Sequence, residues 1–292
     1  MTTMTITAKD VAELRARTGA GMMDCKKALD ETGGDMDKAV DFLRKKGIAK
    51  AEKRADRAAS EGQIVTLLSA DGTTGAMIEL NCETDFVGRN DEFVALSKSI
   101  AAHVLQDASV DGVVTVGAEG AYLKSPWSQG AGTVGEVVKA ASAKTGENVV
   151  LKHVARFVAT GTVGSYLHFN GKVGVLVAVT GGADDAAKAL AGTVAEHVAA
   201  AVPAPALAVD RDGVPADAVA REREIFAAQA KESGKPDNII ARMVEGRVAK
   251  YFAEIVLTEQ PWVRDDSKTI GQIVKEAGAG LAVARFARFK MG

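Results

Sequence analysis

Val154-Ala155-Arg156-Phe157-Val158 returns late in the chain as Val283-Ala284-Arg285-Phe286-Ala287, and that recurrence decides the fold. Each copy closes a segment with the same order of signals. In the first, alternating apolar residues over 63–68 and 76–82 predict a β-hairpin around Asp71-Gly72. Phe93, Leu96, Ile100 and Val104 lie on one face of a helix over 92–106. Residues 107–132 are irregular and Gly-rich. Thr133-Val134-Gly135-Glu136 reads as a capping box that opens a helix to about residue 144, and a strand over 149–158 ends the segment.

The second copy repeats this order. Strands over 165–169 and 173–179 flank Asn170-Gly171, the strongest short turn signal in the chain. A helix over 185–201 follows. Thr269-Ile270-Gly271-Gln272 repeats the earlier capping box, and a strand over 281–289 repeats the closing strand. After Pro203-Ala204-Pro205 this copy is interrupted by two long helical stretches, about 216–232 and 236–257, joined at Gly234-Lys235-Pro236. The expected architecture is α+β: two duplicated core subdomains, the second interrupted by a helical hairpin.

Residues 7–47 carry a different pattern, three short helices. Thr7-Ala8-Lys9-Asp10 reads as a capping box, with Val11 and Leu14 on one face behind it. Met22, Cys25 and Leu29 form a second stripe that stops at Gly33-Gly34. Asp35 caps a third helix bearing Met36, Ala39, Val40 and Leu43, which ends before Gly47. About forty residues in three helices are too few to hold a catalytic cleft, so this unit reads as a docking module. The resulting division is 1–57 for the module with a basic linker and 58–162 for the first core subdomain. The second subdomain takes 163–206 with 258–292, and the hairpin insert takes 207–257.

The chain has 292 residues, 25% of them charged, with a net charge of −2, which argues against a protein that coats nucleic acid along its whole length. That balance hides an asymmetry. Arg44 through Arg57 hold seven Lys/Arg against two acids, so the remainder of the chain is −7. The run is either a solvated linker or a partner-facing patch. Cys25 and Cys82 have no CxxC spacing and the four histidines no HxxxH pattern, so no metal site is expected. No apolar run approaches the ~20 residues of a membrane span, and no signal peptide is evident, so a reducing cytoplasm is the expected location.

Catalytic motifs are missing. The nearest approach to a phosphate loop is Gly171-Lys172-Val173, but Tyr166 stands where the first glycine belongs and Val173 has no hydroxyl. No Gly-x-Ser-x-Gly elbow, GxGxxG or Ser-His-Asp arrangement is found. One segment breaks local rules: Glu83-Thr84-Asp85-Phe86-Val87-Gly88-Arg89-Asn90 places Phe86 and Val87 in a polar strand-to-helix loop. Phe86 either tucks back over the sheet edge or stands out as a wedge aimed at a partner.

Two long stretches carry a family resemblance. Leu14-Arg15-Ala16-Arg17-Thr18-Gly19-Ala20-Gly21-Met22-Met23-Asp24-Cys25-Lys26-Lys27-Ala28-Leu29 resembles the N-terminal signature of elongation factor Ts, and Asn81-Cys82-Glu83-Thr84-Asp85-Phe86-Val87 its second. The resemblance extends through Gly164-Ser165-Tyr166-Leu167-His168, Met243-Val244-Glu245-Gly246-Arg247 and Gln260-Pro261, and is weakest across 107–132. It implies a guanine-nucleotide exchange factor for the GTPase elongation factor Tu, not an enzyme of covalent chemistry. No cofactor or metal of its own, no membrane and no required nucleic acid accompany that role.

The three-helix unit would be the family's ubiquitin-associated-like domain, and the hairpin its coiled-coil protrusion. The loop Thr84, Asp85, Phe86 and Val87 would intrude beside the partner's nucleotide site and help dislodge Mg²⁺. Further contact positions fall on Lys26, Thr145, Gly146 and His168, and on Arg54, which stands where the family has a lysine. Some family members continue past the closing strand with a C-terminal helix, whereas this sequence ends at Lys290-Met291-Gly292. Two other readings stand beside it: an RNA-associated adaptor using Arg44 to Arg57, and an α+β enzyme with a deep polar pocket.

Overall fold

Thr7 starts the first helix by local chemistry. Its Oγ1 accepts the Asp10 N–H at 3.3 Å while Asp10 Oδ2 accepts the Thr7 N–H at 2.8 Å, a closed capping box. In the computed structural model, which describes residues 6–52, 54–117, 120–232, 234 and 236–292, this helix is α1 (Ala8–Thr18). α2 (Met22–Glu31) and α3 (Met36–Glu52) complete the module. Leu14, Cys25, Ala28, Leu29, Ala39 and Leu43 bury one another at its centre. The Lys53 position and the Lys235 link of the insert lie outside the described residues, as do the side chains of 48–52.

Two expectations for the module are corrected. Met22 is 57% exposed, because Ala28 and not Met22 joins Cys25 and Leu29 in the core. α3 also continues through Gly47 to Glu52. A Cβ on Gly47 would lie only 2.9 Å from the Ala143 Cβ, so the glycine marks a close approach to the core and not a helix stop. Arg44 pairs with Glu136 at 2.8 Å across the same junction.

β1 (Glu61–Leu68) and β2 (Thr74–Cys82) pair antiparallel across the Asp71-Gly72 turn, with Val65 opposite Ile78. After α4 (Asp85–Gly88) and α5 (Asp91–Gln106), the region expected to be irregular contains β3 (Gly112–Thr115) and a 3₁₀ turn over Ala121–Lys124. Four residues at a sheet edge are too few to show a period, and β3 is held only by pairing with a later strand. α6 (Val134–Thr145) opens on the Thr133–Glu136 box, and β4 (Val150–Val158) closes a sheet of order β1-β2-β4-β3. Ile78, Leu80, Phe93, Ile100, Val104, Val138 and Leu151 form the core between this sheet and its helices.

β5 (Thr162–Leu167) and β6 (Val173–Thr180) form the second hairpin, covered by α7 (Asp185–Ala200). The insert is α8 (Ala216–Lys231) and α9 (Asp237–Ile255), packed through Ala230, Ile240, Val244 and Val248; α9 stops short of the expected 257, giving way to a 3₁₀ turn over Leu257–Glu259. A small hairpin that the sequence pattern does not announce follows, β7 (Pro261–Trp262) and β8 (Asp265–Thr269), whose polar Asp265-Asp266-Ser267-Lys268 run lacks apolar alternation. α10 (Ile270–Ala277), opened by the Thr269–Gln272 box, leads to β9 (Ala282–Lys290).

β9 pairs with β6 as β4 pairs with β2, antiparallel in both cases. Each of these pairs carries one register shift, at Glu79/Leu80 and at Ala178/Val179. The two sheets stack face to face over Ile64, Met77, Ala155, Phe157, Leu176, Ala178 and Phe289. At ~1.5–3 kcal/mol for each large apolar side chain fully buried, this shared layer fixes the first hairpin against the second. That stacking brings the β5–β6 turn to the start of β1.

Candidate functional site

Glu83 to Asn90 is not the irregular loop its composition suggests. Thr84 is extended (φ −124°, ψ 154°) and its Oγ1 accepts the Val87 N–H at 3.4 Å. The Gly88 and Arg89 N–H groups donate to the carbonyls of Thr84 (3.1 Å) and Asp85 (3.0 Å), which makes α4 one turn of helix. Thr84 is an N-cap and Asp85 an acidic first-turn residue, both helix-starting. Asn90 caps the next helix through the Glu92 N–H at 2.9 Å, so the turn is confined to four residues.

This turn lies almost on the backbone of β1. A Cβ on Gly88 would sit 3.2 Å from both Cα and N of Gly62, and Gly62 itself has φ 134°. Gln63 Nε2 donates to the Gly88 carbonyl at 2.8 Å. Val87 packs inward against the first core, and Phe86 points outward, 85% exposed. The tucked arrangement of Phe86 is therefore excluded. Asp85 pairs with Arg89 at 3.2 Å on the surface, an interaction worth little in energy.

One carboxylate clamps the approach to the turn. Glu147 Oε2 accepts the N–H groups of Glu83 and Thr84, both at 3.0 Å, and Oε1 accepts the Thr84 hydroxyl at 2.6 Å. Charge-assisted bonds of this kind are about twice as strong as neutral ones. Glu147 follows the C-cap of α6, where Gly146 (φ 77°) donates to the Ser142 carbonyl at 3.1 Å and Thr145 Oγ1 accepts the Glu147 N–H at 3.3 Å. Thr145 and Gly146 thus come to lie beside Thr84.

The linker from the module reaches the same point. Asn148 Nδ2 donates to the carbonyls of Ala55 (3.2 Å) and Arg57 (2.7 Å), and Glu83 Oε1 accepts the Asn148 N–H at 2.6 Å. Arg54 Nη1 donates to the Ser142 carbonyl at 3.3 Å. With Arg44 on Glu136 and Lys46 on Asp24 (2.8 Å), the described cations of the basic run that make contacts fasten the module and linker within the chain. Cys82 Sγ donates to the Thr84 carbonyl at 3.1 Å. Burial above all, with the Glu147 and Glu61 carboxylates, pushes that thiol up to about 12, so it acts as a donor and not as a nucleophile.

His168 stands at the β5–β6 turn. Its N–H donates to Val173 O and its carbonyl accepts the Gly171 N–H, both at 2.8 Å. Its Nδ1 is 3.0 Å from the Tyr166 hydroxyl, and its ring lies 4.5 Å from that of Phe169. The Gly171 carbonyl accepts the Ile64 N–H at 3.0 Å. Consecutive residues of β1, Gln63 and Ile64, therefore hold the α4 turn and the hairpin tip respectively.

A family model described as elongation factor TS matches residues 83–292, which include the turn, the Glu147 clamp and the hairpin tip. The chain belongs to the elongation factor Ts family. Elongation factor Ts of Thioalkalivibrio sulfidiphilus is 46% identical over 293 residues, covering 99% of this chain and 93% of that protein. Elongation factor Ts of Methylococcus capsulatus is 43% identical over 290 residues, with the same coverage of each. The Prosthecochloris aestuarii elongation factor Ts is 42% identical, covering 98% of this chain and 99% of its own length. Membership implies a nucleotide exchange factor for elongation factor Tu, with no covalent chemistry of its own.

Within this elongation factor Ts fold, the residues singled out in the sequence fall into three places. Thr84, at the head of the Thr84–Val87 turn, meets Glu147 beside Thr145 and Gly146, and Arg54 donates to the Ser142 carbonyl in the last turn of α6. His168 occupies the hairpin tip. Lys26 is exposed on α2, in the N-terminal module, beside Met23, which is 77% exposed. Sequence reading missed Glu147, Gln63, Gly62 and Phe169. Only Phe169 carried a signal, an aromatic directly before an Asn-Gly turn. Among the described residues no helix is long and apolar enough to cross a membrane.

Proposed function

We propose that this chain acts on elongation factor Tu·GDP by inserting the Thr84–Val87 turn beside the nucleotide, disturbing Mg²⁺ and phosphate coordination so that GDP leaves and GTP binds. The observation that carries this reading is Phe86, an aromatic 85% exposed on a turn whose backbone is fixed by Glu147, Gln63 and the Gly62–Gly88 contact. A large apolar side chain held rigidly in solvent is the form of an interface anchor. Thr84 holds the turn, Val87 roots it and Phe86 displaces, while Asp85, paired with Arg89 at 3.2 Å, either positions the turn or competes electrostatically near the metal. Lys26, Arg54, Thr145, Gly146 and His168 supply the surrounding contacts, Arg54 with one guanidinium nitrogen already committed to Ser142.

Exchange needs no reacting group. A factor that binds the nucleotide-free GTPase more tightly than the loaded form weakens GDP by the same ratio by which GDP weakens the factor. We take 1–57 as the docking domain, 58–162 and 163–206 with 258–292 as duplicated core subdomains, and 207–257 as a projecting insert, working in a reducing cytoplasm. The test is release of a fluorescent GDP from elongation factor Tu under excess unlabelled GDP. Catalytic amounts of the protein are expected to accelerate release, and an unchanged release rate refutes the function.

A further inference from the structure

Phe169 is more exposed than Phe86, at 91%, and the proposed turn mechanism leaves it unused. It is not loosely attached. Its ring rests 4.5 Å from that of His168, which Tyr166 holds through Nδ1 at 3.0 Å, and the Gly171 carbonyl ties the tip to the Ile64 N–H at 3.0 Å. The neighbouring residue Gln63 spans both features. Its Nε2 bonds the Gly88 carbonyl at 2.8 Å, and its Oε1 lies 3.1 Å from where a Gly171 Cβ would be. Two exposed phenylalanines, one on each core unit, are thus mounted on turns seated on successive residues of one strand.

A polar residue would serve a solvent-facing hairpin tip as well as phenylalanine does, and an exposed aromatic without a rigid mount is unremarkable on a monomer. A second one sharing the same rigid mount is what an anchor pair looks like, because stiff aromatics give large contact area for little entropy cost. We infer that Phe169 is a second anchor of the exchange interface, seated in an apolar recess on the same GTPase surface that Phe86 enters. This rests on the exchange-factor reading and adds a specificity-determining residue to it. Phe169 grips the partner whether or not nucleotide is bound, whereas Phe86 separates the two states. An anchor of that kind sets the concentration of factor required and not the rate at saturation.

The test is a titration of GDP release from elongation factor Tu against wild-type protein, Phe169→Ala and Phe169→Leu. Phe169→Ala is expected to raise the half-saturating concentration about ten-fold with the plateau rate within two-fold of wild type, and Phe169→Leu to recover part of the loss. Both variants are expected to melt at the wild-type temperature, since the side chain is in solvent. A Phe169→Ala curve that overlays the wild type overturns the inference and leaves the exchange function standing. So does a fall in plateau at unchanged half-saturation. A wild-type chain that dimerises through Phe169, with dimerisation lost in the variant and the titration unmoved, assigns the tip to a second copy and also overturns it. A wild-type protein that leaves GDP release unchanged takes down both readings.

Discussion

Glu147 Oε1 accepts the Thr84 hydroxyl at 2.6 Å across 63 residues of sequence, while its other oxygen takes the N–H groups of Glu83 and Thr84. Three donors on the approach to α4 thus converge on one side chain from the α6–β4 loop. The orientation of Phe86 depends on a contact between two elements and not on the turn alone.

Removing that carboxylate leaves donors without a partner, at a cost of about 1–3 kcal/mol. Glu147→Ala is expected to remain folded, to speed hydrogen exchange at the Glu83 and Thr84 amides about ten-fold or more, and to lower the plateau rate of GDP release by a similar factor. Glu147→Gln is expected to recover part of the loss, because its amide oxygen can still accept both N–H groups while its NH2 donates to the Thr84 hydroxyl oxygen, without the carboxylate's charge. Unchanged protection of the two amides in Glu147→Ala would remove the clamp from the account.

Gly62 and Gly88 make a testable pair. An alanine Cβ at Gly62 would lie 2.1 Å from the Leu80 carbonyl, at a φ of 134° that side chains rarely adopt. At Gly88 the nearest atoms are 3.2 Å away. Strain and overpacking each cost about 1–3 kcal/mol, so Gly62→Ala combines both and Gly88→Ala carries overpacking alone. With about 2–4 °C of Tm per kcal/mol for a chain of this size, Gly62→Ala is expected to melt roughly ten degrees low and Gly88→Ala a few degrees low. Thermal unfolding followed by circular dichroism reads the order, and the reverse order would contradict the packing.

His197 predicts an acid-sensitive step at the base of the insert. Its Nδ1 accepts the Val263 N–H at 3.2 Å, so the proton sits on Nε2, which donates to Gln260 Oε1 at 3.0 Å. Gln260 in turn donates to the Ala204 and Glu254 carbonyls at 2.8 and 2.6 Å. Burial lowers the His197 pKa below its ordinary value, outweighing the Gln260 bond, and burial acts in the same direction on His103. The unfolded chain therefore binds protons first as the pH drops, and stability present above about 6.5 is lost as the pH falls through that value toward the folded pKa. Chemical denaturation at pH 7.5, 6.5 and 5.5 is expected to show a falling midpoint. His197→Gln, less stable throughout, is expected to show a shallower fall, and a slope identical to wild type would contradict the assignment.

Local chemistry made much of this fold legible. The boxes at Thr7, Thr133 and Thr269 each close on the residue three positions on, and the Asp71-Gly72 turn joins the expected strands, whereas the first strand before Asn170-Gly171 runs over Thr162–Leu167 and not 165–169, leaving Phe169 in the turn. What escaped depends on distant partners. β3 has no pattern of its own and exists by pairing with β4, and the polar β8 exists by pairing with β7. Gly47 reads as a stop in sequence but is a contact with Ala143. At the site, Phe86 was visible as an aromatic out of place. Glu147, which aims it, was not, because no local signal marks an acid whose donors lie 63 and 64 residues away.

The central claim is that Phe86 does the displacing. Stopped-flow release of a fluorescent GDP from elongation factor Tu, at saturating wild-type protein or Phe86→Ala, tests it most directly. The account predicts that Phe86→Ala melts at the wild-type temperature and lowers the plateau rate about thirty-fold, the equivalent of a ~2 kcal/mol hot spot. A folded Phe86→Ala with a plateau within two-fold of wild type would contradict it.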